Sequence, residues 1–162
     1  ALQAHADALE REGRLIARAA LPGAAGQGVW FAPQVFALDD LRRLGCEVFG
    51  PVLHLLRYRA GELDAVVDAV NATGYGLTLG VHSRIEATWR RVAARARVGN
   101  VYINRDLIGA VVGVQPFGGE GLSGTGPKAG GPHYLQRFAV ERTLTVNTAA
   151  VGGNAGLLSL DD

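Results

Sequence analysis

Apolar positions recur along the chain with two different periods, and the changes of period mark out the elements. Leu2, Ala6 and Leu9 fall on one helical face, and Gly13 follows where a C-terminal cap belongs, which predicts a short amphipathic helix over residues 1–13. Residues 14–20 alternate and are apolar enough for a strand, the small-residue run 22–28 reads as loop, and residues 29–36 form the next extended segment. A helical turn is expected at 39–44 before Gly45, then a strongly apolar strand at 51–58.

From Glu62 onward Leu63, Val66, Val67 and Val70 return to helical spacing, and Gly74 supplies the stop. A strand follows at 77–82. Ser83 and Glu86 stand at the S-x-x-E spacing of a capping box, predicting a helix over 85–98 that closes at Gly99 before a short strand at 101–104. Strand and helix thus alternate through the middle of the chain, which predicts an α/β architecture, a mostly parallel sheet with flanking helices. Beyond Arg105 come a glycine-rich stretch, a short helical or turn segment at 132–137, a β-rich run at 141–147 and a small apolar tail. No internal repeat and no low-complexity linker divides the chain.

A chain of 162 residues with 48% hydrophobic and 19% charged residues can bury a sizeable core, so disorder is not expected. The net charge is +1 and the arginines are spread out, leaving no electrostatic footprint for nucleic acid or an anionic membrane. Apolar stretches are broken by Arg, Asp, His or Gly well before a bilayer-spanning length. The single cysteine, Cys46, cannot form an internal disulfide, which suits a reducing compartment and makes the cytoplasm the expected location. The chain has no methionine, so residue 1 reads as internal to a longer chain.

Several candidate chemistries fail on context. Residues 119–124 satisfy G-x-G-x-x-G, but Gln115-Pro116-Phe117-Gly118 precedes them in place of a strand, and Pro127 follows where a long helix would begin. A near P-loop at 121–128 has Pro127 before Lys128 and Ala129 where Ser or Thr would bind magnesium; Ser123 lies in G-x-S-x-T, so a nucleophile elbow is unsupported. Cys46, despite Arg42 and Arg43 nearby, reads as a small packed hydrophobe, and the four histidines lack metal-ligand spacing, so no metal is expected. Trp89 is expected in the core and Trp30 on a strand. Glu47, at the entrance to an apolar strand, is open to two readings: a solvated turn residue, or a carboxylate accepting hydrogen bonds from vicinal ribose hydroxyls with a neighbouring ring over a flat heterocycle.

Glu47-Val48-Phe49-Gly50-Pro51, Tyr75-Gly76-Leu77, Gly99-Asn100-Val101-Tyr102-Ile103-Asn104 and Pro116-Phe117-Gly118-Gly119 together resemble the aldehyde dehydrogenase superfamily, in its order and at similar spacing. The resemblance implies a mixed α/β fold with a protruding β-flap, with Glu47 on the nicotinamide ribose of NAD and Phe49 against the nicotinamide. Asn104-Arg105, Gly109 to Gly113, Ser123-Gly124-Thr125 and Lys128 to Tyr134 resemble the glutamate semialdehyde (1-pyrroline-5-carboxylate) dehydrogenases. By that resemblance, the amides of Gly130 and Gly131 bind the substrate's α-carboxylate and Phe138 packs on its aliphatic part. Two adjacent amides without side chains make an anion nest. The ending, residues 145–154, is similar to bacterial bifunctional proline utilization A proteins, where the dehydrogenase follows a proline dehydrogenase holding FAD and the C-terminal tail helps cover a tunnel between the two active sites.

The implied reaction is oxidation of L-glutamate γ-semialdehyde to glutamate through a cysteine thiolate, with NAD taking the hydride. Neither the family's nucleophilic cysteine nor its general-base glutamate has a counterpart in this chain, so no catalytic residue is assigned and the piece is expected to be inactive alone. Residues 1–138 are assigned to the catalytic domain with its substrate-anchor loop, and 139–162 to the oligomerisation flap strand and tail. The implied partners are the semialdehyde, the remainder of the same enzyme and further copies of it. The competing readings are a non-catalytic assembly module, a different aldehyde dehydrogenase, and a stand-alone nucleotide-binding domain.

Overall fold

The computed structural model describes residues 1–21, 23 and 28–151. Most of the expected loop at 22–28, and the tail beyond residue 151 with its proposed tunnel-covering role, lie outside the described residues.

Helix α1 (Leu2–Arg11) forms where the apolar spacing placed it, with Ala6 and Leu9 buried. It ends in a Schellman arrangement: Gly13 N–H donates to Glu10 O at 2.9 Å, Arg14 N–H donates to Leu9 O at 3.2 Å, and Gly13 takes φ +69°. The helix lies on a three-stranded sheet of β1 (Leu15–Arg18), β2 (Gln34–Leu38) and β3 (Val52–Leu56), with β2 central. β1 runs antiparallel to β2, with a bulge between Leu15 and Ala17, whereas β2 and β3 are parallel over five registered pairs. Strand β2 starts later than the expected segment at residue 29, because Pro33 has no N–H to give to a ladder.

Period two along β2 divides the two faces of this sheet. Phe36 and Leu38 are buried under α1 with Ala6 and Leu9, and Leu15, Val52 and Leu56 pack at the edge of that core. The opposite face carries Val35, Leu53 and Leu55, of which Leu53 is 60% and Leu55 43% exposed. A shallow depression of about 620 Å³ runs along it between Ala17, Pro33, Gly50 and Leu53.

Helix α2 (Leu63–Ala72) and helix α3 (Glu86–Arg95) pair side by side and bury Val67 and Val92. Two bidentate ion pairs lock them: Arg91 Nε and Nη2 to the Asp64 carboxylate, both at 2.6 Å, and Arg95 Nε and Nη2 to Asp68 at 2.6 and 2.5 Å. The guanidiniums hold both carboxyl groups below the usual carboxylate range. Between the helices run β4 (Tyr75–Gly76) and β5 (Thr78–Val81), and after α3 comes β6 (Asn100–Ile103), parallel to β5 over four pairs. A last short strand, β7 (Glu120–Gly121), pairs antiparallel with β4. The architecture is the expected α/β one, and its two longer pairings are the parallel ones.

Four local expectations are corrected. The capping box does not form: α3 begins at Glu86, Ser83 Oγ accepts from Ile85 N–H at 3.1 Å, and Glu86 instead pairs with Arg90 one turn on. That helix ends at Arg95, because Ala96 is already extended. Trp89 is half-buried beneath the Arg90 guanidinium, 4.8 Å from its ring centroid, instead of in the core, and Trp30 precedes β2 and is exposed. Apart from these four, the β-rich run expected at 141–147 has no strand partner within this chain among the described residues and is exposed, so its flap-strand assignment is neither met nor contradicted. No helix among the described residues is long and apolar enough to cross a membrane.

Candidate cofactor and substrate site

The loop leading into β3 carries Glu47 and Phe49, and both line one groove of about 460 Å³ with Thr73, Tyr75, Leu122 and Ser123. The loop is tied down by its backbone: Glu47 N–H donates to Tyr75 Oη at 3.3 Å. Its side chains are left to the solvent. The Glu47 carboxylate has no hydrogen-bond partner among the described residues, and Phe49 is 87% exposed.

The opposite wall is built from the glycine-rich stretch, whose amides are already engaged. Leu122 N–H donates to Gly74 O, Ser123 N–H to Glu120 O and Gly124 N–H to Gly121 O, so the G-x-G-x-x-G run is a backbone turn folded on β4 and presents no phosphate cradle. Ser123 Oγ accepts from Gly76 N–H at 3.0 Å, which gives the hydroxyl a structural task. Gly99 permits the closest approach: a Cβ there would collide with the Gly118 carbonyl oxygen.

Below this wall lies a polar joint. Asn100, buried at the start of β6, donates through Nδ2 to Leu77 O at 2.8 Å and to Gly118 O at 3.1 Å. Its Oδ1 accepts from Lys128 Nζ at 3.3 Å, and the same ammonium donates to Gly99 O. Lys128 also opens a tight turn: Gly131 N–H donates to Lys128 O at 3.0 Å, and Gly130 sits third in the turn at φ +71°, a conformation that favours glycine. Phe117 and Ala129 exchange a pair of backbone hydrogen bonds at 3.0 and 2.9 Å, stitching the turn to the wall. Gly130 N–H has no partner among the described residues. Phe138, at the end of the 3₁₀ turn Leu135–Phe138, is 73% exposed and meets Tyr134 edge to face, with centroids 5.5 Å apart.

The structure therefore joins Glu47 with Phe49 in one groove, and places Gly130, Gly131 and Phe138 on a separate loop that does not line it. Asn100, Lys128, Tyr75 and Ser123 appeared in the sequence only within motifs and were given no role in this site. The available signal was Asn100, a polar residue opening an apolar strand, which must find partners when buried. Cys46 is exposed, and its neighbouring arginines are engaged elsewhere, Arg42 with Asp40 and Arg43 with Glu12 and Asp39. Arg42 holds Asp40 down to about 2. His5 and His54 meet across α1 and β3, with Nε2 atoms 2.9 Å apart, and burial followed by the charge of His5 lowers the pKa of His54. No group of three or more metal-ligating side chains occurs among the described residues.

Fold and groove define an α/β protein that offers an uncommitted acid and an uncovered ring beside a wall of backbone. Comparison with known proteins gives the family. The chain belongs to the aldehyde dehydrogenase family, whose model matches residues 2–144. It is 54% identical to the bifunctional protein PutA of Rhizobium meliloti over 137 residues, 85% of this chain and 11% of that protein. It is 42% identical to the 1-pyrroline-5-carboxylate dehydrogenase of a Geobacillus species over 128 residues, 78% of this chain and 24% of that one. Among solved structures, a variant of Bradyrhizobium japonicum proline utilization A superposes with TM-score 0.82 at 56% identity, covering 92% of this chain and 15% of that one. A Thermus 1-pyrroline-5-carboxylate dehydrogenase with bound NAD gives 0.74 at 38% identity, covering 85% and 26%. The chain thus spans about a tenth of the PutA relatives and about a quarter of the 1-pyrroline-5-carboxylate dehydrogenases.

Proposed function

We propose that the chain is the C-terminal part of an NAD-dependent L-glutamate γ-semialdehyde dehydrogenase that forms L-glutamate in proline catabolism, within a bifunctional protein that also carries an FAD-dependent proline dehydrogenase. One observation carries the reading: Glu47 and Phe49 share a groove in a chain whose relatives over most of its length are PutA proteins and 1-pyrroline-5-carboxylate dehydrogenases. The residues suit NAD. A carboxylate with no internal partner can accept both hydroxyls of a ribose, and an exposed phenyl ring can cover a flat heterocycle. NAD, when bound, supplies the hydride acceptor.

This chain's own contribution is binding and orientation. Glu47 and Phe49 fix where the cofactor's reactive ring lies, through geometry and without proton transfer. Gly130 offers an N–H with no internal partner to the substrate carboxylate; Gly131, whose N–H also closes the turn, contributes as a shared donor and by leaving room. Phe138 covers the aliphatic part of the substrate. Nucleophile and general base come from the remainder of the enzyme, so this piece alone is inactive. We place the enzyme in the cytoplasm, a reducing compartment that suits the one free thiol of this chain, Cys46. In the full-length enzyme, Glu47→Gln raises the Michaelis constant for NAD more than that for the semialdehyde; unchanged NAD kinetics refute the assignment.

A second role is supported by residues 139–162. Val140, Leu144 and Val146 are 92%, 78% and 64% exposed on a run that pairs with no strand among the described residues, as a flap segment waiting for another copy would be. Light scattering on the full-length enzyme with and without Leu144→Asp tests it: the expected result is loss of the oligomer.

A further inference from the structure

We propose that Lys128 is the positioning residue of the substrate-anchor turn: its ammonium, fixed on Gly99 O and Asn100 Oδ1, sets where the Gly130 and Gly131 amides meet the substrate carboxylate. The inference rests on the dehydrogenase reading above and names the element that makes its anchor rigid. Lys128 is the first residue of the turn, and its own carbonyl accepts the Gly131 N–H that closes it. Three constraints therefore converge on one residue. The side chain reaches across to the start of β6, the backbone closes the turn, and Ala129 next to it is bonded both ways to Phe117.

The half-buried stem of Lys128 also packs against the wall. A Cβ on Gly118 would lie 3.2 Å from Lys128 Cα and 3.3 Å from Cγ, so wall and stem are in close contact. Past Lys128 the turn has little of its own to hold it. A Cβ on Gly130 would meet nothing within 4 Å, and Gly130 is exposed. A glycine pair carries the largest backbone freedom of any dipeptide, and amides bind an anion well only if already aimed. The lysine supplies that aim through a charge-assisted bond to β6, the strand whose register with β5 is fixed over four pairs. Its positive charge is spent on a carbonyl and an amide oxygen in the partly buried joint, and among the described residues no carboxylate pairs with it.

The test uses the full-length enzyme and steady-state kinetics with glutamate semialdehyde, with NAD, and with a simple aliphatic aldehyde that has no carboxylate. For Lys128→Met the Michaelis constant for the semialdehyde is expected to rise about tenfold or more, since misplacing a positioning group by about 1 Å costs up to ~100-fold. The constants for NAD and for the plain aldehyde shift far less, glutamate loses potency as a product inhibitor in parallel, and Lys128→Arg restores part of the effect. Equal losses on all three substrates, or no loss on the semialdehyde, overturn the inference. If Lys128→Met does not yield soluble enzyme, Lys128→Gln, which keeps a polar head in the joint but removes the charge and shortens the reach, is measured in the same way and must show the same split; failure of both to fold assigns Lys128 to stability alone and also overturns it. A wild-type enzyme inactive on the semialdehyde refutes the dehydrogenase reading itself, a result distinct from an active wild type with an indifferent Lys128→Met.

Discussion

Replacing Asn100 by Ala isolates the polar joint that holds the site together. The substitution removes two Nδ2 donors and one Oδ1 acceptor from a residue that is 5% exposed. Leu77 O keeps the backbone N–H of residue 100 at 3.1 Å, so its loss is one ordinary hydrogen bond; Gly118 O loses the bond from Asn100 and is left in a closed backbone contact. A lost bond is worth about 1 kcal/mol and an orphaned buried carbonyl about 1 to 3, giving roughly 2 to 4 kcal/mol for the substitution. Asn71 is the matched control: its amide also donates to a carbonyl, Arg95 O at 3.0 Å, and accepts a backbone N–H, from Arg97 at 2.8 Å, but in a solvent-accessible setting. Water replaces those bonds, so Asn71→Ala should cost less than about 1 kcal/mol. Hydrogen exchange on the full-length enzyme reads both. Amides of β6 in Asn100→Ala should exchange about 30- to 700-fold faster, at a factor of ten per ~1.4 kcal/mol, with Asn71→Ala changing its own neighbourhood by a few-fold. Equal acceleration by the two variants would refute the reasoning that burial, not bond count, sets the cost.

Further outcomes follow from the same geometry. Phe36→Ala empties the fully buried centre of the α1 sheet and should destabilise by about 3 to 5 kcal/mol, measured as a fall in the thermal midpoint. Gly131→Val places a branched side chain where even a Cβ lies 3.0 Å from Lys128 O, and should raise the Michaelis constant for the semialdehyde much more than that for NAD; equal effects on both argue against the anchor. Asp64 and Asp68 have folded-state pKa values lowered from 3.8, first by hydrogen bonds from Arg91 and Arg95, so the stability they contribute is present above 3.8 and is lost as pH falls below it. The thermal midpoint of an Arg91→Gln, Arg95→Gln double variant should therefore drop less between pH 5 and pH 3 than that of the wild type, and added salt should narrow the difference because these pairs are exposed.

Local periodicity was enough to find α1 and α2, because each buries a face whose spacing depends only on neighbours in sequence, and Gly13 announced its own cap. Where two local solutions competed, sequence was ambiguous: Ser83 had the spacing of a capping box yet bonded to Ile85, and Glu86 found Arg90 at equal convenience. Long-range pairings left no trace. His5 and His54 are 49 residues apart, and neither has a neighbour that advertises the other. For the candidate site, Glu47 was visible as a loop acid before a strand, but its groove depends on Tyr75 and Ser123, which converge only after β4 and β7 pair. Lys128 was hidden by its own motif: beside glycines it resembled a failed phosphate loop, whereas its charge is directed at the Gly99 carbonyl just ahead of β6. The run at 141–147 has the composition of a strand, and a strand is a property of two segments.

The outer face of the α1 sheet bears on how this chain behaves in a test tube. Parallel strands are ordinarily covered on both sides, and β2 and β3 are covered on one, leaving Leu53 and Leu55 in water with Val35 beside them. Such a surface is half of a core. Under the proposed function the remainder of the enzyme supplies the other half; expressed without it, the chain should be sticky at concentrations where the full-length enzyme stays dispersed, and coexpression with that remainder, instead of a solubilising tag, is the remedy this geometry prescribes.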